Sequence, residues 1–183
     1  LEDPVEIKME GINQSQVDPS RDYTFAKGLR SLLRQDPDIC MVGEIRDLET
    51  AEIAIQAALT GHLILSTIHT NSASGTIPRF LSMGVKPFLL APALNSVIGQ
   101  RLVRKICSHC QEEDKLNAEQ MERVIKNLET LPAAEKKNVD LKHLKFYKGK
   151  GCKECSGLGY KGRIGIYEIF TMNKEIEQAI LSA

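Results

Sequence analysis

Ile39-Cys-Met-Val-Gly-Glu-Ile-Arg-Asp47, then Leu48 to Thr60, then Gly61-His-Leu-Ile-Leu-Ser-Thr67, is the stretch that decides the fold. Pro37 stops whatever precedes it, and Ile39 to Val42 is a short continuous apolar run closed by Gly43. Such a run predicts a strand buried on both faces. Asp47 can cap a helix in which Leu48, Ala51, Ile55, Ala58 and Leu59 line one face. Gly61 ends that helix, and His62 to Thr67 predicts a second buried strand. Strand, helix of about a dozen residues and strand make a βαβ unit in a parallel sheet, so the predicted class is α/β.

Outward from this unit the pattern stays regular. Thr24 to Arg34 predicts a helix, with Phe25, Leu29, Leu32 and Leu33 at helical spacing. Further helices are expected near Ser72 to Ser82 and Pro87 to Leu94, and Val97 to Ile106 reads as extended. From Cys107 the character changes. Glu112 to Lys150 is charged and predicts one amphipathic helix around Ala118 to Leu128. Arg163 to Phe170 resembles a strand, and a short helix should follow Asn173. The expected organisation is an α/β core at 1–106, a metal-stapled subdomain at 107–156, and a tail at 157–183 that returns to the core.

Hydrophobic residues at 42% and charged residues at 26% describe an ordinary globular chain, and 183 residues suffice for one sizeable core plus an appendage. The net charge of zero argues against obligatory nucleic-acid binding. The longest apolar run, Phe88 to Leu94, is too short to cross a membrane. The chain starts at Leu1 with no signal peptide, which reads as a piece of a longer cytoplasmic protein.

Cys107-Ser-His-Cys110 and Cys152-Lys-Glu-Cys155 are two C-x-x-C pairs. Each places two sulfurs on one tight turn, and together they can close a tetrahedral Cys₄ zinc site with ligands about 2.3 Å from the metal. Gly151 and Gly157 let the backbone bend around it. Two disulfides, or four unrelated thiols, are the competing accounts, but a three-residue step strains a local disulfide and nothing suggests an oxidising compartment. A closed four-sulfur site leaves no position for a substrate, so the zinc should hold the fold and do no chemistry. His109 and His143 lie nearby as bystanders, and Cys40 should act as a small buried hydrophobe. Between Lys136 and Arg163, nine basic residues face two acids. The alternative function is therefore a zinc-ribbon module that binds nucleic acid or anionic lipid, although Tyr147 and Tyr160 are sparse for a stacking platform.

Glu44 follows the first strand, at the carboxyl end where open α/β sheets bind ligands. An acid there can hold Mg²⁺ or orient an attacking water in nucleotide hydrolases, although a solvated loop acid looks the same. Thr67 and His69 end the next strand, within reach of a γ-phosphate. Glu2, Asp3 and Glu6 supply three more acids in a proline-containing segment that reads as an exposed loop.

The run Leu1-Glu-Asp-Pro-Val-Glu6, with Gly11-Ile-Asn-Gln14 and Thr24-Phe-Ala-Lys-Gly-Leu-Arg-Ser-Leu-Leu-Arg-Gln-Asp-Pro-Asp38, resembles the aspartate box of bacterial type II secretion and type IV pilus assembly ATPases. Met41-Val-Gly-Glu-Ile-Arg-Asp47 is similar to their Walker B segment, and Thr60-Gly-His-Leu-Ile-Leu-Ser-Thr-Ile-His-Thr-Asn71 to their histidine box. The likeness extends through Gly157-Leu-Gly-Tyr-Lys-Gly-Arg-Ile-Gly-Ile-Tyr-Glu168. Retraction ATPases share the boxes but characteristically lack the tetracysteine element, so the cluster favours the assembly and secretion branch.

The resemblance implies a RecA-like P-loop core working as a homohexamer, peripheral on the cytoplasmic face of the inner membrane. ATP and Mg²⁺ would be its ligands, and platform and pilin machinery its partners. It casts Glu2 as the base that activates water, Glu44 as the organiser of Mg²⁺ through water, and His69 as a sensor of the γ-phosphate. Arg30, Arg34 and Arg46 fall at subunit contacts, near phosphate, or in salt bridges to Asp36, Asp38 or Asp47. The phosphate loop G-x-x-x-x-G-K-[ST] is absent, since Gly149-Lys150 is followed by Gly151. The family carries that loop N-terminal to the aspartate box, so this chain alone is expected to be inactive. Gly157-x-Gly159-x-x-Gly162 has dinucleotide-fingerprint spacing, but it follows a metal knuckle rather than a strand.

Overall fold

The computed structural model describes residues 1–132 and 144–182. Strand β1 (Ile39–Val42) pairs in parallel with β2 (Leu63–Ser66), Ile39 opposite Leu63 through Val42 opposite Ser66. Helix α2 (Leu48–Leu59) makes the crossover. The Asp47 carboxylate accepts from the Thr50 N–H at 2.8 Å and the Thr50 hydroxyl at 3.1 Å, a cap that stabilises a helix start by about 1 kcal/mol. At the other end Gly61 takes φ +106°, and the His62 ring meets the Ala57 carbonyl at 3.0 Å. His62 thus closes a helix end, far along β2 from His69.

Helices α1 (Phe25–Leu32), α3 (Thr76–Ser82), α4 (Pro87–Ala93) and α6 (Lys174–Leu181) complete this region, with Thr24 capping α1 through the Lys27 N–H and Asn173 capping α6 through the Ile176 N–H. Leu29, Val42, Ala51 and Leu90, each buried to within 0% exposure, anchor one core with Cys40, Ile55, Phe80 and Ile180. Cys40 is a free, buried thiol, as its place in an apolar strand requires.

Two expectations need correction. The strands are covered on one face only: Cys40 and Val42 point into the core, while Ile39, Met41, Leu63 and Leu65 remain 45–61% exposed on the other face. A strand's alternation divides its apolar residues between two faces, and the core cluster covers one of them. On α2 the buried face is Thr50, Ala51, Ala54, Ile55 and Ala57, whereas Leu48 and Leu59 are exposed. Small residues face inward there because the helix packs against both α1 and α4.

Strands β3 (Ser96–Ile106) and β6 (Tyr160–Thr171) pair with each other. They run antiparallel: the Met172 N–H donates to Asn95 at one end and the Cys107 N–H donates to Gly159 at the other. Between them in sequence, β4 (Gln111–Asp114) pairs antiparallel with β5 (Phe146–Gly149), and α5 (Ala118–Glu129) begins with an Asn117–Gln120 capping box. The sequence reading has neither β4 nor β5. The chain divides into two compact units, Leu1–Gln100 with Tyr167–Ala183, and Arg101–Ile166. His143 and the basic-stretch residues Lys136, Lys137, Asp140 and Lys142 lie outside the described residues.

Candidate active site and metal centre

The segment from Leu1 extends the parallel pairing on the other edge of β1. The Leu1 nitrogen donates to the Met41 carbonyl at 2.8 Å, and the Gly43 N–H donates to the Leu1 carbonyl at 2.7 Å. A Cβ at Gly43 would stand 3.1 Å from the Leu1 carbonyl oxygen and 3.4 Å from Glu2 Cα, so glycine lets the two chains close up. Glu2 then sits beside the carboxyl end of β1. Its backbone pairs with Ser15 and Val17, and its Oε1 accepts from Gln14 Nε2 at 2.8 Å. Gln14 was not among the candidate residues, although Gly11-Ile-Asn-Gln14 was legible as part of the same box.

On the β2 side, the Ile45 N–H donates to the Thr67 carbonyl at 2.9 Å. The Thr67 hydroxyl donates to the Gly43 carbonyl at 2.7 Å, so its proton is spent on joining the two strand ends. Glu44 projects between these segments. One carboxylate oxygen accepts from the Arg46 guanidinium, and the other lies 3.1 Å from His69 Nε2. Its side chain is 13% exposed, whereas that of His69 is 85% exposed. The hydrogen bond from Arg46 is the main reason that Glu44 ionises below the usual carboxylate range. Arg46 also lies 3.9 Å from Asp3, linking the first acidic run to the acid after β1. Glu44 and His69 are thus in direct contact, and Glu2 and Thr67 flank them through the backbone.

The arginines find other partners than those expected. Arg30 pairs with Glu49 at 2.8 Å, and Arg46 with Glu44 and Asp3, rather than with Asp36, Asp38 or Asp47. Asp47 is occupied as a helix cap, and Asp36 takes a left-handed turn conformation at φ +52°. Arg34 lines a shallow groove with Lys27, Arg30, Ser31 and Gln35. A guarded carboxylate, a second carboxylate and an exposed imidazole at the carboxyl end of a parallel pair form a place where an anionic ligand with a hard cation could sit.

The four cysteines of the second unit converge. Their sulfurs all lie within 4.8 Å of one another, with Cys107–Cys152 at 3.9 Å, Cys110–Cys155 at 3.8 Å and Cys152–Cys155 at 3.7 Å. A tetrahedron of thiolates about 2.3 Å from zinc has edges of about 3.8 Å, whereas a disulfide needs about 2.05 Å. The spacing fits a shared metal, and all four are free cysteines. N–H groups of Cys152 and Gly159, each at 3.2 Å, point at the Cys155 sulfur, and that of Gly151 points at Cys110 at 3.3 Å. The donor from Cys152 is the main reason that Cys155 ionises at about 6, while burial pushes Cys110 up to about 12. A dication would draw both to the thiolate form. His109 contributes no atom to the cluster.

The glycines near the cluster serve its loops. Gly151, Gly157 and Gly159 all have positive φ, and a Cβ on Gly149 would collide with the Gly159 carbonyl. The fingerprint-like spacing therefore reflects turns of the knuckle.

The sequence matches the family described as Type II/IV secretion system protein over residues 1–183. It is 50% identical over 182 residues to the type IV pilus assembly ATPase PilB of Thermus thermophilus, covering 100% of this chain and 19% of that protein. It is 48% identical over 180 residues to the type II secretion system protein E of Klebsiella pneumoniae, covering 98% of this chain and 33% of that protein. The chain therefore spans about a fifth to a third of the length of these relatives. Among solved structures it resembles the pilus retraction motor PilT with bound ADP, at TM-score 0.63 and 29% identity, covering 99% of this chain and 40% of that one. The Legionella pneumophila ATPase DotB shares the fold at TM-score 0.59 and 22% identity, covering 99% of this chain and 38% of that one. The shared architecture is a RecA-like α/β core. With the match running from the first residue to the last, the chain belongs to the type II/IV secretion system protein family.

Proposed function

We propose that this chain is part of a motor ATPase that drives pilin or pseudopilin assembly, in type IV pilus biogenesis or type II secretion. The observation that carries the reading is the Glu44 carboxylate held between Arg46 and His69 at the end of β1, with Glu2 on the neighbouring segment. ATP is the substrate. Mg²⁺, when bound with it, would neutralise charge on the phosphates. Glu44 is the residue to organise that cation through water. It is ionised, nearly enclosed and turned towards His69. Glu2 accepts the proton of the attacking water, with Gln14 orienting its carboxylate. His69, exposed on its loop beside Glu44, is the residue to meet the γ-phosphate, and Thr67 holds the start of that loop to β1. Arg30, Arg34 and Arg46 serve phosphate or a neighbouring subunit.

Residues 1–106 are assigned to the ATPase core, 107–156 to a subdomain stapled by structural Zn²⁺ on Cys107, Cys110, Cys152 and Cys155, and 157–183 to the returning tail. The parent works as a homohexamer at the cytoplasmic face of the inner membrane, with the secretion or pilus platform as partner. Among the described residues no helix is long and apolar enough to cross a membrane. The zinc-ribbon alternative is weaker on this geometry. Lys148 lies 3.1 Å from Asp114 and Lys161 lies 3.1 Å from Glu154, and Arg104 stacks on Tyr160 at 4.1 Å. Two basic groups of that stretch, Lys148 and Lys161, are thus engaged within their own unit.

The test is steady-state ATP hydrolysis by the full-length parent beside nucleotide binding. Glu2→Gln and His69→Ala should each lower kcat by about 10²-fold, as loss of a positioned acid–base or electrostatic group does, while Glu6→Gln stays mild. The 183-residue chain, lacking a phosphate loop, should not turn over ATP. Magnesium-dependent hydrolysis by that chain, or parent-like rates in both variants, would overturn the reading.

A further inference from the structure

The conspicuous motif that the proposed mechanism leaves unused is Gly157 to Glu168, and its last residue makes a contact across the fold. Glu168 Oε2 accepts from the backbone N–H of Ala73 at 2.8 Å, joining positions 95 residues apart. Ala73 is 1% exposed and lies towards the far end of the loop that carries His69, three residues before α3. That loop is fixed at its other end by Thr67, whose hydroxyl donates to the Gly43 carbonyl at 2.7 Å. The loop also has its own braces: Thr70 Oγ1 donates to the Ser72 carbonyl at 2.9 Å, and just past Ala73 the Gly75 N–H donates to Ser72 Oγ at 3.1 Å. Gly99 on β3 makes room for the contact. A Cβ there would stand 3.0 Å from the Ala73 nitrogen and 3.4 Å from Glu168 Oε2. The imidazole is 85% exposed and meets Glu44 at 3.1 Å, so packing does little to place it and the conformation of its loop does much.

We propose that Glu168 is a positioning residue, which pins the far end of the His69 loop so that the imidazole faces Glu44 and the phosphate site. The inference rests on the role given above to His69. Glu168 touches no reacting atom in this scheme. It acts by limiting where His69 can be, and small losses of position carry large losses in rate.

The experiment uses the full-length parent, with hydrogen exchange of peptides spanning residues 68–76 measured beside kcat and KM. Glu168→Ala should speed exchange at that segment about tenfold or more, because a buried N–H loses its acceptor. It should lower kcat about tenfold with KM for ATP changed less than about twofold. Glu168→Gln keeps a carbonyl acceptor and should restore most of both. Gly99→Ala wedges the same contact with Glu168 intact, and should reproduce the pattern if Glu168→Ala folds poorly. Unchanged exchange in Glu168→Ala and Gly99→Ala would overturn the pin. Faster exchange with parent kcat, or a loss confined to KM, would overturn the positioning role. A parent-like rate for His69→Ala would remove the role of His69 and the positioning role together, while the exchange data would still report the pin, so the two failures are distinguishable.

Discussion

Replacing Glu44 by Gln in the full-length parent tests the centre of the proposed site. The substitution keeps the shape, one acceptor oxygen and the surrounding backbone bonds, and removes one negative charge. Folding should hardly respond. Arg46 and His69, the partners of Glu44, have side chains 60% and 85% exposed, so solvent screens both pairs. Exposed pairs contribute at most about 1 kcal/mol, so Tm should move by no more than about 4 °C. Turnover should respond strongly, because the lost charge is the one assigned to a cation whose work is done as charge shifts on the phosphates. Loss of such a group lowers kcat by about 10²–10³-fold, or about 2.7–4 kcal/mol of barrier. Arg46→Gln supplies the matching pH test. The Arg46 hydrogen bond holds Glu44 below the ordinary carboxylate range, so the ionised form persists above that lowered value and is lost as pH falls through it. Without Arg46 the value climbs back, and the acid limb of kcat/KM should move to higher pH. The assay is steady-state hydrolysis across pH, with hexamer formation and melting checked for every variant. Parent-like turnover by Glu44→Gln, or an acid limb that stays still or moves down in Arg46→Gln, would refute the reasoning.

Elemental analysis of purified protein should find one zinc per chain, and Cys152→Ser should lose it and melt earlier. Metal-free protein with unchanged thermal stability would show that zinc is no staple. Gly149→Ala should also weaken metal retention, because its Cβ would meet the Gly159 carbonyl backbone. Gly61→Ala is the contrast: its new Cβ meets nothing within 4 Å, so only strain at φ +106° remains, more than about 1 kcal/mol by denaturant titration, with metal content unchanged. Leu29→Ala empties a fully buried site and should destabilise by about 2.7–5 kcal/mol in the same titration.

Local patterns carried most of the secondary structure. Asp47, Thr24 and Asn173 marked helix starts, and each caps the expected helix through a backbone N–H three residues on. Capping and apolar spacing act within one or two turns, so they are written in neighbouring residues. The cysteine pairs were legible for a similar reason, since metal chemistry fixes ligand type and spacing. Strand β4 was illegible because Gln111 to Asp114 has little strand character, and β5 because Phe146 and Tyr147 are only two strand-favouring residues, followed at once by Lys148 and Gly149. Their pairing is set beside the cluster, where the Lys150 N–H donates to the Cys110 carbonyl at 3.0 Å.

The sequence by itself determined the α/β class and the two cysteine pairs, and it marked Glu2, Glu44 and His69 as the residues proposed here for the site. Tertiary structure alone decided which groups meet. Arg46 turned to Glu44 and Asp3, Thr67 to the Gly43 carbonyl, Gln14 to Glu2, and Glu168 to the Ala73 N–H. It also decided that β1 and β2 show one apolar face to solvent and that α2 buries its alanines rather than its end leucines. The reason is physical: periodicity says which residues share a face, but only the packed neighbours determine whether that face is covered and which acceptor lies within reach of a given donor.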